Sequence, residues 1–541
     1  MSKWKKVICI GGVGFLLWFR YLFVLVPMNE EAAAGGLVEV KVGKVLRTLD
    51  ERIIFSQEED EKVIKIGKNM SLIFQAHWPK VKIRYKNKEF PFAIVPYSGF
   101  LPILTNYSFT LILGKNIYTF KLMLLFSFMI FLWMYIELPV FNGKNILERL
   151  LLSIFFLSFP LVSIGTINFI LIFPLYFIFI TAIFNRIYRI LESGEIKPVD
   201  FLSLSFFGGI LFQQIFMGGG IFVAMFLSLL RCVILYRIKI DFKPIYAVIG
   251  GLLFVFLAAP HTILFLFYGG FAEKIEFPFP IPFKELLIKF LYALFGASTI
   301  FHLMLENKLG WEFIPLSFFS GSAFILCIYA LIKFRKGRIE NFICWTLIIY
   351  MFFLGFGKFV RIDHYIPIFL FLAPFFFHSL SLFKNSKIYK GILFLLVFCN
   401  FVQIEMLRKD VLRSFLSYPF HKKVVEYLEK ENIKKVYNFL SSGIILAYDL
   451  LSGKGIEVVN SETVPSSSTE SEEIYRFLIA TKGEIILTGR KIDTIAFKGA
   501  GIDGIREVAE KRGMKVRVIK EFPHKSNPTL FLIKVEDEME N

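Results

Sequence analysis

The chain has 541 residues, 56% of them hydrophobic, with 67 phenylalanines and a mean hydropathy of +0.62. Such a composition excludes a soluble globular protein of this length and predicts a polytopic α-helical membrane protein. The formal net charge of +18 comes from Lys and Arg in short loops between apolar runs, where the positive-inside rule puts them, so it speaks for the membrane and against nucleic acid as a partner.

Residues 7–28 follow Lys3, Lys5 and Lys6 and are long enough to span. Without a small-residue cleavage site they read as a retained first helix with its N-terminus inside. A first extracytoplasmic loop, 29–116, follows. It opens on Asn29-Glu30-Glu31, an N-cap and two acids suited to the positive end of a helix dipole. Val38, Val42, Val45, Leu46, Leu49 and Ile53 then recur at helical spacing, which predicts an amphipathic helix along the membrane surface. After the acidic stretch Glu58, Glu59, Asp60 and Glu61 comes a β-like run at 81–85. The apolar run 96–114, broken by Pro102, reads as a short re-entrant or interfacial helix.

Further spans are predicted near 117–138, 150–166, 168–184, 201–217, 219–236, 244–267, 312–332, 342–357, 365–382 and 388–404, about eleven in all with the first. With the N-terminus inside, the loops around Lys144, Arg186, Lys239, Arg335 and Lys387 all fall on the cytoplasmic side, and the C-terminus is sent outside. A second outer loop, 268–311, carries Pro278, Pro280 and Pro282 before another interfacial helix. A charged turn containing Lys358, Arg361, Asp363 and His364 also lies outside, against the positive-inside bias. From 405 to 541 alternating helix and strand patterns predict a soluble α/β domain with a small Rossmann-like sheet, against a membrane domain of 1–404.

Several motifs have two readings. Gly499-Ala500-Gly501-Ile502-Asp503-Gly504 matches a dinucleotide fingerprint but comes late in its domain, which favours a tight turn. Lys358, Arg361 and His364 suit a lipid phosphate, or form a snorkelling collar with Asp363 paired to Arg361. His302 and Glu306 lie one helical turn apart, on a surface face or at the same cavity. His261 beside Pro260 reads as a satisfied histidine, and Gly218-Gly219-Gly220 as a tight turn or close helix contact. The five cysteines, Cys9, Cys232, Cys327, Cys344 and Cys399, read as core thiols. Glu30 and Glu31 serve as a helix start, and the same position lets them act chemically.

The order of these features resembles the GT-C superfamily of integral-membrane glycosyltransferases, which includes protein O-mannosyltransferases and lipid A aminoarabinose transferases. The resemblance rests on Glu30-Glu31-Ala32 after the first span, on Phe90-Pro91, on Tyr97-Ser98-Gly99 leading to Leu113-Gly114-Lys115-Asn116, on Lys121 near an early arginine position, and on His364-Tyr365-Ile366-Pro367. Glu30 stands where the family has Asp, and Thr166 and Asn168 lie where it has a further acid. The resemblance implies inverting transfer of a hexosyl or pentosyl group from a polyprenyl-phosphate donor to a lipid, glycan or protein acceptor outside the cytoplasm, at the cell (inner) membrane. Glu30 is then the base and Glu31 its neighbour, Lys358, Arg361 and His364 bind the lipid phosphate, and Tyr97, His302 and Tyr365 line the substrate cavity. No metal ligands are assigned, and a divalent metal is the one cofactor left open. The alternatives are a transporter or flippase of lipid-linked sugars, and a noncatalytic membrane protein with an outer partner-binding domain.

Overall fold

A computed structural model describes residues 61–75, 80–86, 88–93, 105, 108–109, 111–114, 116–141, 146–159, 162, 172–213, 218–267, 283–295, 314–355, 362–376, 386–413, 417–439, 445, 448–460, 471–490, 501–524 and 529–537. The expectations placed on 7–28, on the amphipathic helix that opens the first loop and on most of 96–114 fall outside these residues.

The first loop contains an antiparallel meander of four strands, β1 Glu61–Gly67, β2 Met70–Gln75, β3 Lys80–Tyr85 and β4 Lys88–Ala93, paired in that order. The sequence reading found only the third. In β1 lysines interrupt the apolar alternation, in β2 Leu72-Ile73-Phe74 is a continuous apolar run with no alternation, and Pro91 stands in β4, where an edge strand tolerates it. Lys86 turns β3 into β4 at φ +54, a left-handed conformation that disfavours an L side chain by about 1–2 kcal/mol.

The apolar runs are helices: α1 Ile117–Ile136, α2 Ile146–Ser158, α3 Ile172–Ser193, α4 Pro198–Phe212, α5 Gly220–Tyr236, α6 Pro244–Phe267, α7 Phe283–Phe295, α8 Ile314–Lys333, α9 Arg338–Gly355, α10 Ile366–Leu372 and α11 Ser386–Arg413. Two of them, α1 and α9, are both long and apolar enough to cross a membrane by length and composition. On α6 the side chains of Ile245, Val248, Leu252, Val255 and Phe256 are exposed, Phe256 by 76%. An apolar face left open in this way suits hydrocarbon and not water.

The largest departures from the expected spans are α2 and α3. α2 ends at Ser158, two residues short of Pro160, a residue that disfavours helix in front of it. α3 continues to Ser193 through Asn185, Arg186, Arg189 and Glu192, which an apolar-run reading treats as loop. Polar contacts cluster around this part of α3 and the neighbouring helix ends. Arg186 pairs with Asp200 at 3.4 Å, Arg338 donates to the Leu191 carbonyl at 3.1 Å, and Arg231 stacks over Trp345 and bonds Asn341.

Beyond α11 lie α12 Tyr418–Lys430, β7 Lys435–Asn438, α13 Tyr448–Leu451, β8 Glu457–Asn460, α14 Ser471–Ala480, β9 Ile486–Gly489, α15 Gly501–Lys511, β10 Met514–Phe522 and β11 Leu530–Asp537. (β5 Glu195–Ile196 and β6 Lys239–Ile240 form a two-residue parallel pair between the helix connections.) The sheet order is β10-β11-β9-β7-β8. β7 runs parallel to β8 and β9, whereas β11 is antiparallel to both its neighbours. The expected alternation is therefore present, with one reversed strand, because the connection from β10 to β11 is too short for a parallel crossover. One face is covered by Phe477, Leu478, Ile505 and Val508 of α14 and α15, and the other by Val424, Val425 and Leu428 of α12, whose cluster continues into the helical bundle.

The two-helix unit of α4 and α6 depends on close approach. A Cβ on Gly209 would lie 2.8 Å from Leu257 Cβ and 3.0 Å from the Phe254 carbonyl oxygen. Gly209→Ala is therefore expected to destabilise the purified protein by about 1–3 kcal/mol in spite of alanine's higher helix propensity. Thermal unfolding in detergent checks this, and an unchanged or raised melting temperature contradicts the packing described.

Candidate functional site

The one predicted site segment that the structure describes is the turn before α10. Residues Ile362–Tyr365 form a single 3₁₀ turn leading into α10, every residue of which is buried. Two prolines in this segment remove backbone donors. A carbonyl in a 3₁₀ turn looks to residue i+3 for a partner, and for His364 that residue is Pro367. The Tyr350 hydroxyl of α9 donates to the His364 carbonyl instead, at 2.8 Å. In α10 the Leu370 carbonyl looks to residue i+4, which is Pro374, and the Tyr135 hydroxyl of α1 donates to it at 3.3 Å. Tyr365 works in the opposite direction, donating from its own hydroxyl to the Leu286 carbonyl of α7 at 3.0 Å.

Aromatic packing fixes the same segment from the side. Phe369 lies 4.8 Å from the rings of both Phe159 and Phe324, and Phe290 of α7 stands against Tyr365 at 5.8 Å. Tyr350 is itself held, since its hydroxyl bonds that of Tyr176 and its ring lies 3.4 Å from where a Cβ on Gly220 would be. The glycine run 218–220 is thus a close helix contact: Gly219 is right-handed, and Gly220 begins α5 against the Tyr350 ring.

A second charged group is buried nearby in sequence to the predicted motif. Lys121 is 1% exposed, and its ammonium nitrogen is out of contact with solvent. Its position on α1 is set by Asn116, whose side-chain oxygen accepts from the Thr119 amide at 2.9 Å and caps the helix. Tyr118, one turn away, adjoins Tyr418, so this end of α1 lies beside the start of the C-terminal unit. Burial and then the Tyr118 charge raise the phenol of Tyr418 above its ordinary value. Burying an ammonium carries a desolvation cost, which makes Lys121 a candidate for the site. Sequence reasoning noted only its proximity to a family position.

Of the residues expected at the site, His364 is half-buried in the turn, and Tyr365 is fully buried. Within its described contacts Tyr365 holds the turn in place. Glu30, Glu31, Tyr97, His302, Lys358 and Arg361 lie outside the described residues. Among the described residues no group of three or more His, Cys, Asp or Glu side chains is placed to hold a metal. Cys232, Cys327 and Cys399 are buried free thiols and Cys344 is half-buried. The fingerprint-like glycines end at the start of α15, where Gly501 holds φ +58, a turn conformation, and is buried.

No family model and no curated protein matches the sequence. Two solved structures do match the fold. ArnT from Cupriavidus metallidurans bound to undecaprenyl phosphate superposes with a TM-score of 0.54 at 9% identity, over 98% of this chain and 98% of that one. The same protein in the apo state gives a TM-score of 0.51 at 9% identity with the same coverage. The likeness runs through both the helical part and the C-terminal sheet, and it shows a GT-C-like fold.

Tyr350→Phe removes one hydroxyl and leaves the His364 carbonyl without that donor, an expected loss of about 0.5–1.5 kcal/mol. Tyr329→Phe, at a site 54% exposed, is expected to change thermal unfolding little. Equal melting temperatures for the two variants would contradict the clamp.

Proposed function

We propose that the chain is a membrane glycosyltransferase that moves a sugar from a polyprenyl-phosphate donor to an acceptor outside the cytoplasm. The observation that carries this reading is the whole-chain fold likeness to a protein whose structure holds undecaprenyl phosphate. A buried cation on α1 and the hydrogen-bonded turn Ile362–Tyr365 before α10 support it.

In this reading residues 1–404 form the membrane domain, with about eleven spans, the N-terminus inside and the turn at 358–365 outside, and 405–541 form an extracytoplasmic domain over it. Lys358, Arg361, His364 and Lys121 hold the lipid phosphate. Their role is to stabilise the charge that grows on the phosphate as its bond to the sugar breaks. Glu30 removes the proton from the acceptor hydroxyl on the opposite face of the sugar, as a carboxylate does in inverting glycoside chemistry. Glu31 places a like charge beside Glu30 and so favours its accepting a proton. Tyr97 and His302 belong to the walls of the sugar cavity, while Tyr365, fully buried, holds the turn beside it. The sugar is a hexose or pentose, and the acceptor is a lipid, glycan or protein.

The reading is tested by turnover of a radiolabelled polyprenyl-phosphate sugar pool in membranes. Glu30→Gln is expected to lower transfer by about 10²–10⁴-fold, and Arg361→Ala by about 10²-fold. Lys121→Met keeps the volume and apolar stem, so a purely packing role predicts full activity, whereas the phosphate role predicts a loss comparable with Arg361→Ala. Glu30→Gln that is folded and transfers at the wild-type rate would remove the assigned base.

A further inference from the structure

The β-meander of the first loop has no part in the chemistry above, and its composition is unusual. Across 61–93 there are eight Lys and Arg residues against two Glu, a net charge of +6. In a meander the β1–β2 and β3–β4 turns fall at the same end, and here they are joined directly, since the Lys86 amide donates to the Asn69 carbonyl at 2.8 Å. Lys68 and Lys86 stand at these turns, and both are exposed. Between them Met70 and Tyr85 face each other across β2 and β3, 38% and 47% exposed. The Lys86 ammonium lies over the Tyr85 ring at 5.5 Å. Lysine also occupies the left-handed turn position where glycine or asparagine fits more easily.

We infer that this end of the meander is a docking surface for anionic lipid headgroups at the bilayer surface. The combination fits that occupant on three counts. Tyrosine is favoured at the membrane–water interface, where its ring is in the acyl boundary and its hydroxyl in water. Lysines around it are drawn to anionic headgroups, and their apolar stems lie along the boundary while the ammonium reaches the phosphate. The meander is also in the right place, because β4 packs against α6, whose free face is the exposed apolar stripe of Ile245, Leu252 and Phe256. A water-soluble partner would need no exposed Met70–Tyr85 pair beside a hydrocarbon-facing helix. The inference is independent of the sugar-transfer reading and survives its failure.

The test is hydrogen exchange on the full chain in nanodiscs of phosphatidylcholine alone or mixed with phosphatidylglycerol. Amides of 67–70 and 85–88 are expected to exchange at least about fivefold more slowly with phosphatidylglycerol present, as an attraction of the size felt by one or two lysines gives. High salt and the double variant Lys68→Glu/Lys86→Glu are expected to abolish the slowing, while the interior amides of β2 stay protected and report an intact fold. Lys86→Gly, which relaxes the turn and removes one cation, is expected to reduce the slowing without loss of the meander. Equal exchange in the two lipids, slowing that persists in the double Glu variant, or the same slowing produced in detergent by soluble polyphosphate would each overturn the inference.

Discussion

A proline takes away a backbone donor, and the buried segment around α10 is arranged around two such losses. Pro367 and Pro374 strip partners from the carbonyls of His364 and Leu370, and the hydroxyls of Tyr350 and Tyr135 take their place. An unsatisfied carbonyl in such surroundings is worth more in free energy than a typical hydrogen bond gains, so the tyrosines are required and not ornamental. They come from α9 and α1, and Tyr365 reaches α7, so a stretch of a few residues is tied to three separate helices. The turn that carries His364 is rigid for that reason, and rigidity is what a site stabilising a developing charge needs.

Lys121 is explained by the same arithmetic of burial. Removing an ammonium from water costs several kcal/mol before any partner is counted. Methionine would fill the same space without that cost. Phenylalanine elsewhere does the ordinary work of filling the interior, as the rings around Phe369 and the stacked pair of Phe155 and Phe324 show. A buried cation on α1 is what singles out Lys121 for test, in a way that another aromatic contact does not.

Much of the fold was legible because hydropathy and helix length are coupled by the bilayer. α1, α5, α6 and α8 lie within a few residues of the predicted spans, and the alternation expected after 404 is present in β7 to β11 and their helices. What escaped has a physical cause in each case. Asn185, Arg186 and Arg189 hid the second half of α3, since a helix can leave the apolar layer without ending. Lysines in β1, the unbroken apolar run of β2 and Pro91 in β4 hid the meander. At the site, His364-Tyr365-Ile366-Pro367 drew attention as a motif, but nothing in the sequence pairs Pro367 with Tyr350 or Pro374 with Tyr135. The hydrogen bonds that replace the lost donors, Tyr350 to His364 and Tyr135 to Leu370, join positions 14 and 235 residues apart, and tyrosines in apolar runs are too common to be singled out. Glu30, Glu31, Lys358 and Arg361 rest on the sequence and on the resemblance of their order to the GT-C pattern.

The central claim is that the turn before α10, the buried lysine of α1 and the acids after the first span share one cavity with a polyprenyl phosphate. An experimental structure of the full chain in nanodiscs with a polyprenyl phosphate bound tests it most directly. The account predicts density for the phosphate in hydrogen-bond reach of Lys121 and of at least one of Lys358, Arg361 and His364, with the Glu30 carboxylate across a gap of about one sugar. Phosphate bound elsewhere, or Glu30 and Arg361 opening onto separate surfaces, would contradict it.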